Sequence, residues 1–559
     1  MNWGGKVNMA RGSPENIGTA YGDCFIRSFV SFVWFVVGDS FDRVAGNSVS
    51  YNDGLRWIAT MDTTNHYGLV PLPARIEWQA GSYTLPSPVL IGWDEAPGAA
   101  AAAEMLASGL ERRGCAVTRM GSVDPDASDI FIGSFHAAPE AYWIGVSHDG
   151  IEIEADDPAG FHYGVQTLLQ LAGIAPRHIP CGRIADAPRF GWRGVMLDVA
   201  RHFRSTAAIK RLLDLMALHK LNRFHWHLTD DQGWRIEIKA RPELTVIGAR
   251  GDYSTPAGPA LFYSHKDVRD IVAYASARHI EVVPEIDLPG HSAAAVRAYP
   301  QLDGGNNTLH PARGETFAFL DAVMDEVCTL FPSAWIHLGG DEVNRAAWDA
   351  DPESLDKMRA EGFEDTHVLE GWFVRRVAEG IASRGKVAMG WDEVVQAGAG
   401  NDVVVQWWRH DLPGVLARAL EAGHQAVLSP RSPCSLDYPQ DVAEPTYLCG
   451  LYNTLERVYH GPMIPHQVSQ AEVARVLGAE CCCWTERIVT DGELDHALMP
   501  RLAALAEWAW SPELRLDFTD FSRRLAACRP LYAALGFPTE WAVKLPDQAE
   551  PAHHPPTEL

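Results

Sequence analysis

The chain has 559 residues, 47% of them hydrophobic and 21% charged, the composition of a folded protein too long for one ordinary core. Its net charge of −25, from 72 acidic against 47 basic residues, would repel nucleic acid and anionic membranes, both of which require clustered Lys and Arg. A neutral or cationic partner is expected, and the 19 Trp and 15 Tyr suit sugar-stacking surfaces as well as cores.

Residues 1 to about 66 show no sustained periodicity and read as a poorly defined extension. Within them Phe25 to Val37 is apolar, but Arg27 interrupts it and it is shorter than the ~20 residues a membrane span needs. It lacks a clear cleavage signal, so a cytoplasmic location is the default expectation. The ten cysteines include no C-x-x-C pair for zinc or redox work, and they read as reduced core residues.

From Leu69-Val70-Pro71 the texture changes. Short strands such as Asp129 to Gly133 and the alternating Ile151-Glu152-Ile153-Glu154 flank an Ala-rich helical stretch near 99 to 111, and a second helix covers Gly160 to Leu171. These elements predict a small α+β domain over residues 67–187. After it, strands and helices alternate to about 510, the pattern of a parallel sheet covered by helices. Ile209, Leu212, Leu213 and Met216 recur at helical spacing behind Ser205, a capping residue, and Val268, Ile271, Val272 and Ala275 do so behind Ser264. Strands are expected to begin near Gly194, Leu221, Ile280, Trp335, Lys386, Asp402, Gln425 and Leu477. Eight such units predict a (β/α)8 TIM barrel over residues 188–530, an α/β fold, followed by a C-terminal tail over 531–559 that Pro551, Pro555 and Pro556 mark as irregular.

A barrel of this kind keeps its chemistry at the C-terminal ends of its strands. Polar and aromatic residues do gather there: Asp198 to Phe203, His227 to Trp234, Asp287 to His291, Asp341-Glu342, Trp391-Asp392-Glu393, Trp407-Trp408-Arg409, Leu436-Asp437-Tyr438 and Trp484-Thr485-Glu486. Central among them is Trp335 to Glu342, an apolar run that ends in two glycines and two acids. A carboxyl shielded from water at such a place is raised in pKa and can serve as a general acid near neutral pH.

Over roughly Leu69 to Trp510 the sequence resembles glycoside hydrolase family 20, the β-N-acetylhexosaminidases. His337 to Glu342, Asp198 to His202 and His225 to Trp234 are the most specific segments. The resemblance implies an exo-acting enzyme that hydrolyses terminal GlcNAc or GalNAc β-linkages with retention. In that family the 2-acetamido oxygen of the substrate is the nucleophile and an oxazolinium is the intermediate. It further implies that Glu342 is the general acid/base and that Asp341 orients the acetamido group. Arg201, Asp437 and Glu486 would then bind sugar hydroxyls, and Asp230 and His291 would support the acid. Trp391, Trp408 and Trp484 would clasp the acetamido methyl and the sugar face, with Trp407 competing for the place of Trp408. One position departs from the family. A tyrosine that donates to the acetamide oxygen is usual two residues before the aspartate, but here it is Ser435, leaving Tyr438 or a water to substitute.

Two alternatives stand beside this reading. His225-Trp226-His227 is an H-x-H at a strand end, as metal-dependent amidohydrolases use for zinc. Those enzymes place the pair after the first strand and need further His and Lys ligands in phase, so neither metal nor cofactor is expected. A non-catalytic carbohydrate-binding homologue is the other, motivated by Ser435 alone, with both carboxylates intact.

Overall fold

The structure, a computed structural model, describes residues 67–175, 177–441, 443–444 and 451–541. The extension expected over 1–66, its apolar segment and the Pro-rich end of the expected tail lie outside these residues.

The first part is one mixed sheet of seven strands: β1 (Arg75–Thr84), β2 (Val89–Trp93), β3 (Val117–Ser122), β4 (Ile130–Ser134), β5 (Tyr142–Val146), β6 (Ile151–Ala155) and β7 (His178–Asp186), in the order β1-β7-β5-β6-β4-β2-β3. Alternation along β6 is direct, with Ile151 and Ile153 buried and Glu152 exposed. Helices Ala99–Arg112 and Pro158–Ile174 complete its core, and Asp157 caps the second by accepting from the Gly160 amide at 2.7 Å. Asp186, at the end of β7, ties this sheet to the rest of the chain. It accepts from Tyr142 Oη at 2.5 Å, Lys220 Nζ at 3.0 Å and Trp510 Nε1 at 3.0 Å, all buried.

Eight parallel strands then close into a barrel: β8 (Trp192–Asp198), β9 (Arg223–His227), β10 (Glu281–Leu288), β11 (Trp335–Gly339), β12 (Val387–Trp391), β13 (Val404–Trp407), β14 (Ala426–Leu428) and β15 (Val476–Cys483). Each expected strand start lies within two residues of the observed one. Both predicted caps are present. Ser205 Oγ accepts from the Ala208 amide at 3.1 Å, and Ser264 forms a capping box with Asp267.

The strand period of two decides what the barrel interior holds. At its base Trp192, Val283, Met389, Val404 and Val427 form an apolar cluster. Two residues further along, the inward positions are Gly194, Glu285, Trp391, Gln406 and Ser429, joined by His225, His337 and Glu480 from β9, β11 and β15. Another step brings Met196, Asp287, Trp408, Gly339 and Cys482 to the mouth. The intervening residues, among them Val195, Phe224, Ile336, Val405 and Trp407, point outward into the main core under the helices.

The described chain ends in helices Phe518–Ala527 and Arg529–Ala534. Leu531, Tyr532 and Phe537 are buried in the main core, so the tail expected from 531 begins too early: these residues close the barrel's helical coat. Among the described residues no helix is long and apolar enough to cross a membrane. Eight cysteines are described, all unpaired and seven of them buried, as the sequence suggested.

Candidate active site

A pocket of about 370 Å³ opens at the C-terminal ends of the strands. That volume falls at the small end of the ~300–1,000 Å³ of small-molecule sites. Of the expected site residues, Arg201, His291, Asp341, Glu342, Trp391, Trp408, Ser435, Asp437, Tyr438, Trp484 and Glu486 line it. Two do not. Asp230 lies buried behind Arg201 and His291, and Trp407 points into the core, as the strand period requires when Val404, Gln406 and Trp408 face inward. Of the two tryptophans, Trp408 lines the pocket.

The chain turns across the mouth at Gly339, Gly340 and Glu342, whose φ angles are 74°, 93° and 49°. A Cβ on Gly339 would lie 1.8 Å from Asp287 Oδ1, so glycine is required there on two counts. At Glu342 the same conformation is strained, a cost of about 1–3 kcal/mol that local structure must override. It re-aims the side chain, placing Glu342 Oε2 3.8 Å from His291 Nε2. The sequence suggested a shielded acid at this position, but Glu342 is 62% exposed; the carboxyl withdrawn from water is its neighbour Asp341.

Asp341 is the end of a polar chain that starts deep in the barrel. Glu285 Oε2 lies 2.5 Å from His227 Nδ1, His227 Nε2 3.0 Å from Asp230, His291 Nδ1 3.3 Å from Asp230, and His291 Nε2 3.5 Å from Asp341. Burial opposes charge on both histidines. Glu285 and Asp230 outweigh it at His227, and Asp341 and Asp230 do so at His291, so both imidazoles are held above their ordinary range. Burial pushes the Asp341 carboxyl up to about 6, against the pull of His291. Asp287 beside it is pushed well above the carboxylate range by burial and by Asp341 itself.

The same network bears on the H-x-H pair. His225, Glu285 and His337 converge closely enough to share an ion, as do His227, Glu285 and Asp287, and Asp230, Asp287 and His291. Both nitrogens of His227 are, however, engaged by Glu285 and Asp230, and His225 Nδ1 is held by Glu480 at 2.8 Å.

On the opposite wall Arg201 Nη2 lies 2.7 Å from Asp230, and its Nη1 lies 3.1 Å from Asp198 and 3.4 Å from Glu486. Asp198 also accepts from the amide and hydroxyl of Thr485, binding the end of β8 to the loop after β15. Arg201→Met would leave Asp198 buried without its cation and take from Asp230 one of its three partners, and removing one member of a buried pair typically costs about 3–5 kcal/mol. The expected outcome is a clear fall in melting temperature, measured by calorimetry.

The aromatic wall is positioned by polar handles. Trp391 Nε1 donates to Glu285 at 2.8 Å and Trp408 Nε1 to Glu393 at 2.9 Å. Trp391 and Trp484 meet at 5.7 Å between centroids, and the Arg201 guanidinium lies 5.2 Å over Trp484. Burial pushes the Glu393 carboxyl to about 8, with Asp392 and Asp341 adding to it, and Asp437 to about 7, with Glu486 adding.

Tyr253, Ser429, Arg431, Pro439, Cys482 and Arg487 also line the pocket and were not anticipated. Ser429 and Arg431 directly follow β14, so the strand-end rule would have found them had that strand been closed at Leu428. Cys482 is inward by the parity of β15. Tyr253 comes from the long loop after β9, where no periodicity announces it; its amide donates to the Arg201 carbonyl at 2.9 Å.

Comparison with known proteins follows the same division of the chain. The model of "Glycosyl hydrolase family 20, catalytic domain" matches residues 190–513, and that of the family's domain 2 matches residues 66–187. A β-hexosaminidase of Porphyromonas gingivalis is 38% identical over 433 residues, which is 72% of this chain and 55% of that protein; the chain thus spans little more than half of that relative. A β-hexosaminidase of Vibrio furnissii is 35% identical, over 78% of this chain and 76% of its own. Among solved structures, the GH20 exo-β-N-acetylglucosaminidase of Vibrio harveyi in complex with N-acetylglucosamine superposes with a TM-score of 0.79 at 32% identity, covering 85% of this chain and 78% of that one. The barrel and the sheet before it are therefore each matched by a domain of one enzyme family: the chain belongs to glycosyl hydrolase family 20.

Proposed function

We propose that the protein is an exo-acting β-N-acetylhexosaminidase that removes terminal GlcNAc or GalNAc with retention, the 2-acetamido oxygen of the substrate serving as nucleophile. The observation that carries this is the unequal pair Asp341 and Glu342. One carboxyl is buried at the end of a polar chain and the other stands open at the pocket mouth.

Glu342 protonates the departing glycosidic oxygen and later deprotonates the water that opens the oxazolinium. Asp341, as a carboxylate, accepts from the acetamide N–H and steadies the positive charge that develops as the carbonyl oxygen attacks the anomeric carbon. The attack is intramolecular and gains a high effective molarity. Trp391, Trp408 and Trp484 confine the acetamido group, and Arg201, Asp437 and Glu486 direct hydrogen bonds at the ring hydroxyls. His291 transmits the hold of Asp230 to both acids. Both carboxylates are intact, which disfavours the non-catalytic reading that Ser435 alone motivates.

The test is a side-by-side assay of aryl β-glycosides of GlcNAc, GalNAc and glucose. Hydrolysis of the two acetamido sugars and not of the glucoside is expected, and equal rates on glucose would exclude substrate assistance. Ser435 adds a second expectation. Its hydroxyl is too short to reach the acetamide oxygen as a phenol would, and oriented donors of this kind contribute about 10²-fold or more. Ser435→Tyr should therefore raise kcat on the aryl N-acetylglucosaminide, and an unchanged kcat would show that Tyr438 or a water already fills the role.

A further inference from the structure

We infer that the acyl-binding corner of this pocket is built for an N-acyl group longer than acetyl, and for N-glycolyl in particular; this rests on the proposed hexosaminidase reading and specifies its substrate. Three small side chains, Ser429, Ser435 and Cys482, line the pocket together beside the tryptophans. Cys482 packs with Met196 and Trp391, and Trp408 and Trp484 lie against the same group. Ser435 is fixed next to Cys482 by backbone pairing, the Leu436 amide donating to the Cys482 carbonyl at 2.7 Å. Ser429 is joined to the same residue through Gln406, whose Nε2 lies 2.9 Å from Ser429 Oγ and 4.0 Å from Cys482 Sγ. The three therefore form one contiguous patch at the ends of β14 and β15. Each side chain ends after a single oxygen or sulfur, so none of the three takes up the room beside the aromatic clasp that a tyrosine or leucine would.

The patch is also polar. Ser429 Oγ accepts from Gln406 and is also in hydrogen-bonding reach of the Cys482 thiol. The Ser435 hydroxyl is engaged by none of the described residues, although its backbone amide and carbonyl are both bonded, to Arg431 and Asn453. A methyl group seated here would cover the Ser435 hydroxyl without bonding it, which is unfavourable. A terminal hydroxyl on the acyl chain both donates and accepts, and it satisfies that group. Hydrogen-bonding sites reject analogues that lack the bonding group more strongly than apolar pockets reject an extra methylene, which separates N-glycolyl from its near-isostere N-propionyl.

The experiment compares kcat/KM for 4-methylumbelliferyl 2-acetamido-, 2-glycolamido- and 2-propionamido-2-deoxy-β-glucosides, with wild type, Ser435→Ala and Ser435→Tyr. In the wild type the glycolyl substrate is expected to match or exceed the acetyl one and to exceed propionyl by about tenfold or more. Ser435→Ala should shrink the glycolyl-over-propionyl ratio several-fold, and Ser435→Tyr should lower the glycolyl-over-acetyl ratio by tenfold or more as the ring fills the corner. Wild-type hydrolysis of acetyl with glycolyl more than tenfold slower overturns this inference and leaves the hexosaminidase reading standing. Ratios unmoved by both variants overturn it as well. Hydrolysis of none of the three by the wild type overturns the hexosaminidase reading, and this inference with it.

Discussion

Replacing Glu342 with Gln should lower kcat/KM on an N-acetylhexosaminide by about 10²–10⁴-fold, the range that a positioned general acid contributes. The size of the loss should depend on the leaving group. A 4-nitrophenolate departs with little protonation, whereas an alkyl or sugar oxygen needs a full proton, so the variant should be far more impaired on chitobiose than on the nitrophenyl glycoside. A residue that only shaped the pocket would slow both alike. The Glu342 side chain is largely exposed and its ion pair with His291 is long and open to solvent, so the Gln variant should fold with a melting temperature close to that of the wild type.

Asp341→Asn should cost about 10²–10³-fold in kcat, comparable to the removal of one preorganised group aimed at developing charge. Its pH dependence is more diagnostic. Burial raises the Asp341 carboxyl to about 6, and the carboxylate is the form that holds the acetamide, so wild-type kcat should rise with pH through about 6. That limb should vanish in the Asn variant. Stability moves the other way. An acid whose folded pKa exceeds its unfolded value binds more protons when folded, so stability falls as pH rises from the ordinary Asp value of about 3.8 to about 6, and the whole cost is present above that. The Asn variant is spared it and should melt higher than wild type at pH 7.5, with the difference shrinking as the pH is lowered towards 4. A site that is costly to hold and gains stability when disarmed is the expected trade between activity and stability.

Much of the barrel was legible because its strands are short apolar runs followed, at each end, by residues that packing alone does not demand. The Trp335 to Glu342 segment carries both signals in eight residues. The sequence left Trp407 and Trp408 in competition; the period of two assigns Trp408 to the pocket and Trp407 to the core only once the structure shows that Val404 faces inward. What could not be read was the polar interior. Glu285 and Glu480 sit inside strands where a charge argues against burial, and they are tolerated because His225, His227 and Trp391 come from other strands to meet them. Those partners are distant in sequence, and only the closed barrel makes them neighbours.

The small domain was less open to inspection. Its seven strands pair in an order that mixes parallel and antiparallel ladders, and β1 finds its partner in β7, about a hundred residues away. Periodicity marks such strands without saying how they pair. The state of Glu342 was also out of reach: the sequence put two acids side by side, and only the left-handed turn shows which of them is buried and which meets solvent.

The claim that the substrate supplies its own nucleophile is tested most directly by aryl β-glucosaminides carrying acetyl, fluoroacetyl, difluoroacetyl and trifluoroacetyl groups on N2. Each fluorine withdraws electrons from the carbonyl oxygen while changing the bulk of the group little. Substrate assistance predicts that kcat falls steeply and steadily along the series; a kcat independent of fluorination would contradict it and return the nucleophile to the protein.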